Sequence, residues 1–171
     1  MTRPAGPLII HRVDKSALRR AIVTLLEAEL AQQTEAAEAS RREATDVDSR
    51  AEGKFDMRGQ SAAYLAEGQA RLAGEIAASI AAFEALPLRS FGPGEAIAIG
   101  ALATLDAPGK RAVYFLGPAH GGLDVEIKAT TVTVITAASS LGRSLLGRRA
   151  GDSIVLAGRN SAGVHRVASV E

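Results

Sequence analysis

The chain of 171 residues has no cysteine and no tryptophan, and aromatic residues make up only 4% of it. The lack of cysteine excludes disulfides and thiolate metal sites and fits a reducing compartment. So few aromatic residues provide no stacking platform for single-stranded nucleic acid. No apolar run reaches the ~18 residues of a membrane-spanning helix, and the run from Leu8 to Ile10 is too short for a secretory signal. We therefore expect a cytoplasmic protein without a membrane partner.

Neither sign of charge dominates the chain. It holds 20 basic and 19 acidic side chains, giving a net charge of +1. Because DNA-binding modules usually carry a clear basic excess, we do not expect sequence-specific DNA binding. The three histidines, His11, His120 and His165, are scattered without metal-ligand spacing. The sequence therefore predicts no metal of its own and no independent enzyme active site.

Two long helical patterns fill the first half of the chain. Residues 1–13 contain Pro4, Gly6 and Pro7 and should be extended, and Asp14 is a suitable N-cap for the first helix. The apolar stripes are narrow and rich in alanine toward their far ends, which predicts an antiparallel coiled-coil hairpin over 14–87. The leucine-rich stripes consist of Leu18, Ile22, Leu25, Leu26 and Leu30 in the helix at 14–44, and of Leu65, Leu72, Ile76, Ile80, Phe83 and Leu86 in the helix at 61–86. Gly68 and Gly74 would permit close helix approach.

The connection between these helices, at 46–60, is dominated by charge. On a continuous helix, Arg50 and Lys54, and then Lys54 and Arg58, would repel each other at i,i+4 spacing. The sequence therefore predicts a turn with short extended or frayed flanks, which forms the tip of the hairpin. Every second residue is charged: Asp46, Asp48, Arg50, Glu52, Lys54, Asp56 and Arg58. Phe55 and Met57, if exposed at such a tip, would contact a partner.

The second half of the chain reads as a small α+β domain at 96–171, joined to the hairpin by a linker at 88–95 that contains Gly92-Pro93-Gly94. Short strand-like runs alternate with turn signals, and one short helix is predicted at 140–146. The predicted strands are 97–105, 112–116, 123–127, 132–136, 153–157 and 164–170. Gly142 and Gly147 bracket the short helix, whose leucines Leu141, Leu145 and Leu146 can pack on the sheet.

The run from Val134 to Leu156, VITAASSLGRSLLGRRAGDSIVL, resembles the C-terminal domain of the GreA/GreB transcription elongation factor family. In that family, a strand is followed by S-P-L-G-x-A-L-L-G-x-x-x-G-D and by another strand. Tyr64 resembles the tyrosine near the start of the family's second helix. The resemblance implies an N-terminal antiparallel coiled-coil hairpin followed by a C-terminal FKBP-like β-rich domain.

The resemblance also implies a partner and a mechanism. Family members insert the hairpin into the secondary channel of bacterial RNA polymerase, and the globular domain docks at its rim. Acidic tip residues help the polymerase hold a second Mg²⁺ for cleavage of backtracked RNA. Carboxylates are hard oxygen ligands for Mg²⁺, and a second metal can activate water. The factor itself is then no enzyme, and contact with RNA is indirect.

The tip of this chain departs from the family's pattern, G-D-L-S-E-N-A-E-Y. Alignment on Tyr64 puts Met57 and Gln60 at the two acidic positions. Asp56 is our first candidate for a residue facing the polymerase active site, followed by Glu52. Further tip candidates are Asp46, Asp48, Phe55 and Met57, and candidates for docking on the polymerase are the basic residues Arg143, Arg148 and Arg149.

Three alternatives remain open at this point. The protein could occupy the polymerase channel without promoting cleavage, since Arg50, Lys54 and Arg58 would oppose metal binding. It could be a prolyl isomerase or chaperone, although only Phe91, Tyr114 and Phe115 could line an aromatic pocket. It could also be a helical-hairpin adaptor for another partner.

Overall fold

The computed structural model describes residues 13–50, 57–156 and 163–171. Two long helices, α1 (Lys15–Arg50) and α2 (Met57–Ala85), are followed by a six-stranded mixed sheet, so the predicted order of a helical hairpin and then a β-rich domain is confirmed. The remaining elements are β1 (Leu102–Ala107), β2 (Lys110–Gly117), β3 (Asp124–Ile127), β4 (Thr130–Thr136), α3 (Ser140–Leu145), β5 (Ser153–Leu156) and β6 (Gly163–Val170). The chain divides into two compact units: Val23–Glu84, and the residues up to Ile22 together with Ala85–Glu171.

The unit Val23–Glu84 is an antiparallel helix pair. Near its middle, the Ser40 hydroxyl donates a hydrogen bond to Gln69 Oε1 over 2.9 Å, which joins α1 to α2. The buried side chains recur at spacings of three and four residues, as in a coiled-coil seam. They are Leu26, Ala37 and Ser40 on α1, and Ala62, Ala66, Ile76, Ser79 and Phe83 on α2. Toward the tip of the hairpin, the buried residues are small. They are Ala37 and Ser40 on α1, and Ala62 and Ala66 on α2.

Part of the predicted seam is wrong. Leu25, Leu65 and Leu72 are exposed by 44%, 56% and 39%. Successive residues on a helix are rotated by about 100°, so the seam takes Leu26 instead of Leu25 and Ala66 instead of Leu65. The prediction that glycines permit close approach also fails, because a Cβ on Gly68 or Gly74 would meet no atom within 4 Å.

The helices run further toward the tip than predicted. Helix α1 continues to Arg50 and α2 begins at Met57, so extended flanks are wrong for residues 46–50 and 57–60. The charges explain this difference. Asp46 and Arg50 have opposite signs at i,i+4 spacing and favour a helix, whereas the repulsive series starts only with Arg50 and Lys54. Lys54 lies outside the described residues.

The sheet has the strand order β3-β4-β2-β1-β6-β5. All neighbouring strands are antiparallel except β2 and β4, which are parallel. Leu145 of α3, Leu105 of β1 and Ile154 of β5 belong to one buried apolar cluster. The short helix therefore packs on the sheet through Leu145 and Leu141, as predicted, whereas Leu146 is 48% exposed.

The first predicted strand, 97–105, is corrected to β1. Gly100 has φ +89°, which bends the chain before Leu102. The preceding segment pairs elsewhere: Ile97 O accepts from Gly147 N, and Ile97 N donates to Arg148 O, at 2.9 and 2.7 Å. The residues before β1 thereby hold the loop that follows α3. In the described residues, no helix is long and apolar enough to cross a membrane.

Candidate functional site

The loop and helix between β4 and β5 form the part of the predicted site that the structure describes. Ser139 is the N-cap of α3, and its hydroxyl accepts a hydrogen bond from Gly142 N over 3.0 Å. The same hydroxyl donates to the carbonyl of Thr136 over 2.8 Å, at the end of β4. One serine thus satisfies a free N–H at the helix start and ties the helix to the strand.

The S-L-G-R motif spans Ser140 to Arg143, and its glycine is Gly142. A Cβ on Gly142 would lie 1.9 Å from the carbonyl oxygen of Thr136. Any side chain would therefore push α3 away from the end of β4. The close approach places Leu145 in the core and turns the basic residues of the motif outward.

Arg143 lies in α3, and Arg148 and Arg149 lie in the basic loop that follows it; all three are exposed. Arg143 donates to the carbonyl of Ala138 and lies 3.5 Å from Ser140 Oγ. The Arg149 guanidinium donates to the carbonyl of Gly94 over 2.5 Å, and its backbone N–H donates to Asp152 Oδ2 over 2.9 Å. Two of these three cations therefore also shape the loop.

The chain turns tightly into β5 at Gly151 and Asp152. Gly151 has φ +98°, and Asp152 O accepts a hydrogen bond from Val167 N over 2.8 Å. Gly147 has φ +80°, directly before the two arginines. Since these values of φ favour glycine, the two glycines allow the chain to turn on either side of Arg148 and Arg149. Leu146, exposed next to the basic loop, adds an apolar group to a basic surface.

A second cluster, at the start of α1, was missed by the sequence analysis. The ring of Phe91 is 7% exposed and is contacted by two cations: Arg89 Cζ lies 3.8 Å and Lys15 Nζ 4.6 Å from the ring centre. Lys15 Nζ also donates to the carbonyl of Arg89 over 2.8 Å. Such cation–π contacts are stabilising by up to about 2 kcal/mol when desolvated. In the sequence, the only signal that could have indicated this cluster is Phe91 followed by Gly-Pro-Gly.

Glu95 completes this cluster. Its carboxylate accepts from Gly92 N over 2.8 Å and forms an ion pair with Arg89. The Gly92 N–H, and then the Arg89 side chain, lower the pKa of Glu95 below its ordinary value. A cleft of about 310 Å³ lies beside the cluster and is lined by Val13, Asp14, Lys15, Ser16, Leu88, Arg89, Ser90 and Glu171.

The tip candidates cannot be assembled into a site. Glu52, Phe55 and Asp56 lie outside the described residues. Asp46 and Asp48 lie in the last turns of α1, and Met57 is the first residue of α2. In the described residues, no group of three or more His, Cys, Asp or Glu side chains could hold a metal ion.

No protein-family model and no curated protein matches the chain. It is similar to solved structures of GreA factor homolog 1 (Gfh1) of Thermus thermophilus, of the transcription factor Gfh1, and of Thermus aquaticus Gfh1, with identities of 22%, 20% and 24%. Each match covers 88% of this chain and 95%, 93% and 94% of the other, with TM-scores of 0.37, 0.38 and 0.38. The structures are thus of GreA-related factors, the family that the run from Val134 to Leu156 resembles.

Proposed function

We propose that the protein is a bacterial transcription regulator that binds RNA polymerase core and inserts its helical hairpin into the secondary channel. The observation that carries the proposal is the S-L-G-R motif, folded as α3 between β4 and β5 with Gly142 seated on Thr136. A hairpin precedes it in the chain, as the resemblance to the GreA/GreB family implies. Helix α1, with 36 residues, is about 54 Å long at ~1.5 Å per residue, a length suited to reaching into a channel.

The proposed docking surface on the polymerase consists of Arg143 in α3 and of Arg148 and Arg149 in the loop that follows. Its cations are exposed, and the side chains of Arg143 and Arg149 are oriented by hydrogen bonds to the carbonyls of Ala138 and Gly94. A preorganised positive surface loses little conformational entropy on binding. It would recognise an acidic surface at the rim of the channel.

At the tip, we propose two versions of the same function. In the first, Asp56 and Glu52 share a Mg²⁺ with the polymerase and promote cleavage of backtracked RNA. In the second, the hairpin occupies the channel without promoting cleavage. The second is favoured by Met57 and Gln60, which stand at the family's acidic positions, and by the basic residues Arg50 and Lys54 between the carboxylates, because cations oppose metal binding.

A backtracked elongation complex with RNA labelled at its 5′ end tests both versions. RNA that shortens faster with the protein than without it supports the cleavage version. Asp56 directly precedes α2 in the chain, and asparagine caps a helix about as well as aspartate. Asp56→Asn should therefore remove cleavage without affecting helix stability, whereas Asp56→Ala also removes any cap.

Binding to polymerase core is measured separately from cleavage. The triple variant Arg143→Gln, Arg148→Gln and Arg149→Gln should weaken binding at least tenfold, with Lys110→Gln as an exposed control. Slowed or unchanged cleavage with intact binding supports the channel-occupying version. No binding to the polymerase would refute both versions and leave the adaptor as the surviving alternative.

The prolyl isomerase alternative has little support. Phe91 and Phe115 are buried, Tyr114 packs against the same core cluster as Phe91, and none of the aromatic residues lines the cleft described above. Burial, and to a smaller extent the nearby Asp124, raise the pKa of Tyr114 above its ordinary value. These three rings belong to the buried core or pack against it, and the cleft beside Phe91 has no aromatic lining residue.

A further inference from the structure

Strand β5 is an open edge of the sheet. Among the described strands it pairs only with β6. Its four residues, Ser153 to Leu156, include no charge and no proline, and its register with β6 is continuous. Natural proteins protect edge strands by charges, prolines, bulges or shortness; β5 has only the last of these, with four residues, and can still pair with a short added strand. The backbone of β5 on the side away from β6 is therefore suited to pair with a further strand.

A pair of exposed valines lies next to this edge. Val155 of β5 and Val164 of β6 are register partners, with exposures of 75% and 60%. Ile154, the neighbour of Val155, points to the opposite face and is buried. These two side chains form a small apolar surface at the edge, which a cross-strand apolar neighbour on an added strand would cover.

The neighbouring rung of the sheet on the same face is positively charged. Ser153, Arg166, Asp106 and Arg111 are aligned across β5, β6, β1 and β2. Arg111 donates to Asp106 Oδ2 over 2.6 Å. The hydrogen bond from Arg111, and then the charges of Arg111 and Arg166, lower the pKa of Asp106. One carboxylate among two guanidinium groups leaves this rung with a net positive charge.

We propose that the β5 edge binds an extended segment of another protein that carries an apolar side chain and, two residues away, a carboxylate. The segment adds a strand to the sheet through β5. Because residues i and i+2 of a strand lie on the same face, its apolar side chain meets Val155 and Val164 while its carboxylate reaches Arg166 across the small side chain of Ser153. The site shares no residue with the proposed polymerase-docking surface.

The test uses the full chain and a fluorescein-labelled peptide, Thr-Val-Thr-Asp-Thr, together with the reversed order Thr-Asp-Thr-Val-Thr, because the added strand can run in either direction. Fluorescence anisotropy measures binding. We expect saturable binding of one order, at least tenfold weaker when lysine replaces aspartate in the peptide. Arg166→Glu should weaken binding of the aspartate peptide at least tenfold and restore binding of the lysine peptide.

Two variants of the protein separate the apolar contact from the charge. Val155→Thr keeps a β-branched residue in the strand and should weaken binding about threefold or more, and Val155→Asp should abolish it. Arg148→Glu is the matched control, because it reverses an exposed charge on the other surface and should leave peptide binding unchanged. Circular dichroism and thermal unfolding check that each variant is folded.

The proposal is overturned if neither peptide binds up to millimolar concentration. It is also overturned if Val155→Asp and Arg166→Glu leave peptide binding intact. The protein could also self-associate through this edge. If Val155→Asp abolishes self-association and the peptides do not compete with it, the edge binds a second copy of the chain instead. Amide hydrogen exchange gives an independent readout, since bound peptide should slow exchange in Ser153–Leu156. Polymerase binding is unaffected by Arg166→Glu if the two surfaces are separate.

Discussion

Gly142 of α3 lies so close to Thr136 of β4 that an added Cβ would sit 1.9 Å from the Thr136 carbonyl oxygen. That oxygen also accepts hydrogen bonds from the Ser139 hydroxyl and from Ser139 N, at 2.8 and 3.0 Å. The carbonyl cannot move away from a new methyl group without losing both bonds. The glycine of the S-L-G-R motif is therefore a packing requirement of the helix–strand junction.

The first prediction follows from this contact. Gly142→Ala should lower the free energy of unfolding by more than ~2 kcal/mol, because overpacking against backbone is costly. Urea unfolding followed by circular dichroism measures the change. A variant as stable as the original chain would show that α3 can shift away from β4 at little cost.

Glycines in α2 should respond in the opposite direction. Gly68 and Gly74 lie within the helix, and a Cβ at either position would meet no atom within 4 Å. Alanine is favoured over glycine in a helix interior by about 1 kcal/mol. Gly68→Ala and Gly74→Ala should each raise the free energy of unfolding by roughly this amount, measured by the same urea titration. Destabilisation by either one would mean that the glycine has a conformational role in the helix.

The buried contact between Ser40 and Gln69 should align the two helices. Ser40 is 7% exposed, and its hydroxyl donates to Gln69 Oε1. Polar pairs in a coiled-coil seam favour one register over others. A double-mutant cycle of Ser40→Ala and Gln69→Ala should give a coupling energy of about 1 kcal/mol.

Thr34 offers the control for that cycle. Its hydroxyl donates to the carbonyl of Leu30 in its own helix, over 2.8 Å. Thr34→Ala combined with Gln69→Ala should therefore show additive changes in the free energy of unfolding. Equal coupling in both cycles would indicate a general effect on the hairpin and not a specific contact.

The ion pair of Asp106 with Arg111 predicts a pH dependence. The folded pKa of Asp106 is lowered below its ordinary value of 3.8, first by the hydrogen bond from Arg111. A carboxyl group with a depressed folded pKa stabilises the fold above its unfolded pKa, and this stabilisation is lost as the pH falls through the folded pKa. The stability advantage over Arg111→Gln should be present at neutral pH and vanish below pH 3.8 as Asp106 is protonated.

NMR titration of the Asp106 carboxyl carbon checks this directly. The pKa should lie below 3.8 in the original chain and rise toward that value in Arg111→Gln. Arg148→Gln should leave it unchanged, because Arg148 does not figure among the groups that shift Asp106. Because both partners are exposed at the surface, the effect should weaken with added salt. A pKa unchanged in Arg111→Gln would contradict the contact.

Many elements could be predicted from local sequence patterns. Pro87 and the alternation of strand and turn signals placed the end of α2 and most strand positions within a few residues. Ser140 to Leu146 was recognised as a short helix, and α3 is Ser140–Leu145. These features depend on neighbours along the chain, since caps, turns and alternation are set by the backbone preferences of a few adjacent residues.

Other features depend on contacts between distant residues. The sequence predicted Leu65 in the seam of the hairpin, but Leu65 is exposed and its neighbour Ala66 is buried instead. Likewise, β2 pairs with β4 and not with β3, the next strand in the chain, and the contact of Lys15 with Phe91 joins segments far apart in the chain. The hydrophobic periodicity of one segment does not indicate which side chains of a distant segment will contact it.

The sequence by itself determined the order of the helices and strands, most of their bounds to within a few residues, and which motif joins β4 to β5. Local backbone preferences were sufficient for this. Only the tertiary structure decided that Gly142 must be a glycine, that Val155 and Val164 stay exposed, and that Arg166 lies beside Asp106. The reason is physical: close approach, burial and electrostatic pairing are properties of two surfaces brought together, and a sequence describes each surface alone.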